Sequence, residues 1–394
     1  MDGFDFYSRR TALKLMMAAA AGAAAGTTPW SRARAQDAAH TLNLADIGVG
    51  DPGTWKYFTE EPGGWGVNLV AIGNAPSAII NVMLGGGGVQ SYDAINIVGG
   101  MQKPLADLGL ILPIDTSKLP NWDKNKYIAD YIKPNTPGYD YFHYNGKLYG
   151  IPTAFQGESV CYLPEATGGK IDSFGALFDP KYRGFVALDD NYSTAGYKTA
   201  IYLKAAGLAT IENPTDMTPS EINTVVNFLI EKKKEGQFRV LWSSFEQAVN
   251  LLVNKEVYVL DGWEPMTFAA KAKGVDCVYA VPKEGYMLWA MSGYVTNNPA
   301  RPAERTEAIY KLFNFMLGPW YGARISATRG YMTCSDAVAF AEQHPDMFEP
   351  GEPEQAKKSD ASGKAKFENG TYWQFRWPRY VQELEAEWAR FKAS

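Results

Sequence analysis

Val257-Tyr-Val-Leu260 is an apolar run of β-formers with no polar face, and it stops abruptly at Asp261, Gly262, Trp263, Glu264 and Pro265. A strand that is apolar on both faces is buried on both, the condition of an inner strand in a parallel sheet covered by helices. In open α/β sheets ligands bind outside the carboxyl ends of the strands, and Gly262 lets the backbone turn there. Trp263, Glu264 and the strand-end Asp261 are therefore candidate binding residues. The plainer alternative is a core Trp beside a surface Glu.

The surrounding chain repeats that pattern. Thr41–Ile47, Val67–Ile72 and Tyr92–Val98 read as strands separated by helix-sized segments, a β-α-β-α-β rhythm that calls for a doubly wound sheet. The four glycines at 85–88 follow a helix and lack a Lys-Ser/Thr, so they read as a turn and not as a phosphate cradle. A second α/β unit builds from Ile171, with a strand at Phe185–Leu188 and a helix at Thr199–Ala206. Thr218-Pro-Ser-Glu221 is a capping box opening a further helix. Val240-Leu-Trp242 then meets Ser243 and Ser244, which can cap the next helix or present its free N–H groups to an anion. With 394 residues, the chain exceeds one ordinary core, so two lobes are expected.

Between the units, Thr153–Tyr162 mixes apolar strand residues with Phe155, Gln156, Glu158 and Ser159, which suits a crossing between lobes that presents polar groups to a pocket. Met287–Val295, with Trp289 and Met291, returns the chain to the first lobe. Residues 351–364 read as a polar loop and 378–392 as a closing helix. Gln374 and Arg376, set between Trp373 and Trp377, either line a pocket or pin the tail to the surface.

The first 35 residues stand apart. Ser8-Arg-Arg-Thr-Ala-Leu-Lys14, the small apolar run 15–26 and Ala33-Arg-Ala35 match a twin-arginine signal peptide with an A-x-A cleavage site. The apolar run is shorter than the ~20 residues that span a bilayer. Export by the twin-arginine machinery implies a bacterial periplasm. Removing these residues takes away five basic and two acidic side chains, moving the net charge from −5 to −8, so nucleic acid is not an expected partner. Three widely spaced cysteines (161, 277, 334) and three scattered histidines (40, 143, 344) give no metal pattern or catalytic triad, so no cofactor or metal is expected.

Tyr92-Asp93, Leu112–Trp122, Gly146–Pro152, Ser173–Asp189, Val281–Gly285 and Ala308–Leu317, in that order and spacing, resemble the spermidine/putrescine-type extracellular solute-binding proteins of bacterial ABC importers. The resemblance implies a bilobal α/β periplasmic-binding-protein fold: two doubly wound mixed sheets joined by hinge strands. Lobe 1 would hold residues 36–152 and 283–394 and lobe 2 residues 153–282, with crossings near 151–155 and 278–282. It implies a monomeric, non-enzymatic binder that delivers a small amine-containing or polyamine-like solute to an ABC permease. Trp263, Trp289 and Phe155 would wall the pocket, with Gln156, Ser159, Ser243, Ser244, Gln374 and Arg376 as polar contacts. The family's polyamine binders carry an acid where this chain has Met291, and others where it has Thr194 and Tyr197. Glu264 and Asp261 remain as candidate carboxylates, so an amino-acid-like or opine-like solute is the alternative.

Overall fold

Eight strands pair edge to edge in the order Gly66–Ala71, Thr41–Asp46, Ala94–Val98, Tyr286–Thr296, Gly150–Tyr162, Val259–Gly262, Val186–Asp189 and Phe238–Trp242. This computed structural model describes residues 40–394 except Asn74, Gly86, Gly87 and Arg376; the expected signal segment and Arg376 lie outside the described residues. The doubly apolar strand Val259–Gly262 is an inner one. It runs antiparallel to Gly150–Tyr162 on one side and parallel to Val186–Asp189 on the other, and all four of its residues are buried. Its register begins at Val259, two residues later than its apolar run, and Tyr258 before it stacks on Phe185 with ring centroids 4.1 Å apart.

Two long strands make the sheet continuous. Gly150–Tyr162 pairs antiparallel with Tyr286–Thr296 from Gly150 to Glu158, then pairs with Val259–Gly262 from Ser159 onward. The change of partner at Glu158/Ser159 lies a few residues beyond the 151–155 expected for the first crossing. On the return, Val278–Tyr279 still pairs with Cys161 and Tyr162, while Met287 already pairs with Glu158. Both long strands are buried throughout, because helices cover them from either side.

Apolar packing divides accordingly. One set of cores gathers the strands before Phe155, the strand Tyr286–Thr296 and the helices Ala303–Met316 and Pro319–Arg329. The other gathers Val160 to Ala280. The closing helix Val381–Ala393, expected in lobe 1, instead packs its Val381, Leu384, Trp388 and Phe391 in the second set, against the helix Pro219–Lys234.

The stretch read as a polar loop is the 17-residue helix Glu352–Glu368. Its residues are mostly strong helix formers, but its buried face carries Ser359, Asp360, Gly363 and Lys366 beside Ala356 and Phe367. No apolar stripe betrays it.

Candidate functional site

A cleft of about 430 Å³ opens between the two sets of cores. One wall comes from the first: the loop Ile47–Val49 after the inner strand Thr41–Asp46, Gly73, Val98, Trp289, Met291, Arg329 and Tyr331. The facing wall comes from the second: Trp242, Ser243, Ser244, Phe245, Glu246, Trp263 and Pro265, with Glu158 at the partner switch.

Local sequence sets both walls. Trp242 ends its strand and donates its indole N–H to the Asp261 carbonyl at 2.7 Å, which presents its ring edge-on to Trp263, 5.2 Å between centroids. Ser244 caps the helix Phe245–Val253 by accepting the Gln247 N–H, and the Gln247 side chain accepts the Ser243 N–H at 2.9 Å. Across the cleft Trp289 stands edge-on to Tyr331 at 5.3 Å, and its buried indole N–H has no partner among the described residues. Arg329 and Tyr331 flank Gly330, which terminates the helix Pro319–Arg329 in the left-handed region at φ 72°. A side chain there would be strained and would come within 3.0 Å of the Glu264 carboxylate and the Phe268 ring.

Three buried carboxylates at or behind the second wall, Glu158, Asp261 and Glu264, are matched by lysines of the chain itself. Lys198 bonds Glu158 at 2.7 Å and also pairs with Asp261; none of the three is more than 1% exposed. Burial alone would pull the Lys198 ammonium down, but Asp261 and Glu158 outweigh it and hold it above the ordinary lysine value. Asp189 lies beside this cluster, accepting the Thr194 hydroxyl at 2.7 Å. Burial, then the neighbouring Asp261, push its carboxyl well above the usual range. Glu264 accepts Lys366 at 2.6 Å and Gln156 at 2.9 Å. Burial draws Lys366 below its ordinary value although Glu264 opposes this.

The expected site residues therefore separate. Trp263, Trp289, Met291, Ser243 and Ser244 line the cleft. Phe155 is instead core, edge-on to Tyr127, Tyr131 and Phe367. Gln156 is spent on Glu264 and the Gly330 carbonyl, and the Ser159 hydroxyl on the Ala280 carbonyl at 2.8 Å. Asp261 and Glu264 are buried partners of lysines, not cleft-lining acids. Gln374 pins the tail, donating to the Ser193 carbonyl while its N–H donates to that of Leu288. Arg329, Tyr331 and Glu246 were not singled out in the sequence; the Gly330 helix stop and the Ser244 cap were the signals that could have found them. Among the described residues no cluster of three or more His, Cys, Asp or Glu is placed to hold a metal ion, and Cys161, Cys277 and Cys334 are free and buried.

An aromatic-walled cleft between two cores that share continuous strands defines the class of two-lobed solute binders. The chain belongs to the bacterial extracellular solute-binding protein family, whose pattern matches residues 55–349. A putrescine/agmatine-binding protein of Pseudomonas aeruginosa is 25% identical over 355 residues, 83% of this chain and 85% of that protein. The fold is that of a putative spermidine/putrescine ABC transporter protein from Listeria monocytogenes, with a TM-score of 0.69 at 19% identity, covering 90% of this chain and 99% of the other. It is shared with MotA of A. tumefaciens B6, solved with glucopine, with a TM-score of 0.65 at 15% identity over 89% of this chain and 99% of that one. The chain is thus an extracellular solute-binding protein of the ABC-transporter type, and its relatives are transport proteins.

Proposed function

We propose that this chain is a periplasmic, twin-arginine-exported, monomeric binder that encloses a small amine-bearing solute between its lobes and hands it to an ABC permease, without catalysing a reaction. The observation that carries this reading is the opposition of Trp242 and Trp263 to Trp289 and Tyr331 across the cleft. An ammonium over a Trp face gains about 0.5–2 kcal/mol depending on its desolvation. The lobes would follow the two sets of cores, with the closing helix on lobe 2 and closure working through the two crossings. The Pseudomonas relative, named for putrescine and agmatine, supports an amine. The glucopine complex of a protein of this fold supports an opine-like alternative, and so does the pairing of the buried acids with lysines.

Thermal-shift screening of the purified protein against polyamines, amino-acid derivatives, sugars and ferric ion tests the reading, since a ligand of the native state raises the melting temperature. An amine-bearing solute should give the largest rise. A rise for sugars or ferric ion alone, or turnover of a solute, counts against it.

A further inference from the structure

We propose that Arg329 binds a carboxylate of the solute, so that the solute is a zwitterion, with a cationic amine or guanidinium at one end and a carboxylate at the other, and not a simple diamine. This rests on the cleft being the solute site.

Three observations converge. Arg329 is half-buried in the cleft wall, and its Nε is fixed by donation to the Val49 carbonyl at 3.1 Å. Its terminal nitrogens meet no acceptor among the described residues, whereas every other described arginine is in an ion pair with a carboxylate. Asp46, three residues before Val49, is consumed by the Gly48 and Val49 N–H groups and by the Asn96 amide. A guanidinium held at one nitrogen, with its planar fork unspent, is the group best matched to a carboxylate.

The second observation is where the chain's negative charge has gone. Of the acids at or behind the second wall, Glu158, Asp261 and Glu264 are paired with Lys198 or Lys366. A diamine needs an acid at each end. Among the described residues the second wall has no pair of unmatched buried carboxylates to supply them.

The third is the facing wall. Glu246 is exposed in the first turn of its helix, near the Trp263 ring that can cover a cation. A cation on one wall and an anion with aromatics on the other complement a ligand whose charges are separated the same way.

The test compares solutes that differ by one carboxylate: putrescine with ornithine, and agmatine with arginine, plus an N-carboxyalkyl arginine. Titration calorimetry is run on the wild type, R329Q, R329K and E246Q. The carboxylated member of at least one pair should bind about 10–100-fold more tightly, as a charge-assisted contact implies, and R329Q should erase that preference while leaving the decarboxylated member unchanged. R329K, which keeps the charge but not the fork, should keep part of it. Should R329Q melt below the wild type without ligand, as a lost helix-end charge would cause, R329K carries the comparison. If the diamines bind as tightly as their carboxylated partners, the inference fails and the amine reading stands. If R329Q and E246Q weaken all five solutes alike, the two residues pair with each other across the cleft and the inference also fails. If no solute binds, both readings fall.

Discussion

The two walls of the cleft are built to different rules. The first-core wall is mostly backbone and aliphatic surface around Trp289 and Met291, with Arg329, whose terminal nitrogens are unspent among the described residues. The second-core wall is aromatic and hydroxyl-rich, with Glu246 exposed at its rim and its buried acids sealed behind it by lysines. Carboxylates close to a binding site need not serve the ligand: an internal ammonium a few ångströms away takes them out of play. The first wall is left to choose among solutes, and the second mainly to cover them.

The sharpest way to break that contrast is Lys198→Met. If Glu158 and Asp261 are structural, removing their partner strands buried charge and should cost about 3–5 kcal/mol in urea denaturation. A loss below about 1 kcal/mol would mean that these acids are not held as an ion cluster.

The tryptophans separate the walls next. Trp263→Ala and Trp289→Ala should each weaken the preferred solute about 30-fold or more, as expected of buried aromatic anchors. Only Trp289→Ala, which empties a packed site against Tyr331, should also lower stability by several kcal/mol. Equal stability losses would show the walls to be alike.

The smallest effect concerns Asp189. Its folded carboxyl is raised above its unfolded value, so its contribution is complete below about pH 4 and is lost as pH rises through the raised value. Asp189→Asn has no proton to lose, so its stability relative to wild type, measured by urea denaturation, should grow from pH 4 to pH 8. A constant difference across that range would remove Asp189 from the titrating set.

Much of the fold was legible in the sequence because it lies in local signals. The doubly apolar strand, the Thr218 capping box and the Ser244 cap appear where residue types required them, within a residue or two. Of the cleft lining, Trp263 and the two serines were legible because they directly follow strand ends, and Trp289 because it lies on the strand that returns the chain to the first set of cores. The pairing of acids was not. Lys198 meets Glu158 across 40 residues, and Lys366 meets Glu264 across 102. Nothing local distinguishes either from a surface lysine. Lys366 was further hidden because its helix buries serine, aspartate and glycine where a hydrophobic stripe would mark it.

The Glu264 cluster has a mechanical consequence. Its carboxylate belongs to the second-core helix Glu264–Ala272, while its partners Lys366 and Gln156 come from the helix Glu352–Glu368 and the shared strand, and Gln156 also holds the Gly330 carbonyl. Breaking a buried pair of this kind costs several kcal/mol, more than ordinary opening and shutting can spend. The cluster therefore cross-links three elements beside Trp263 and Gly330, and any opening that kept it intact would have to pivot near it.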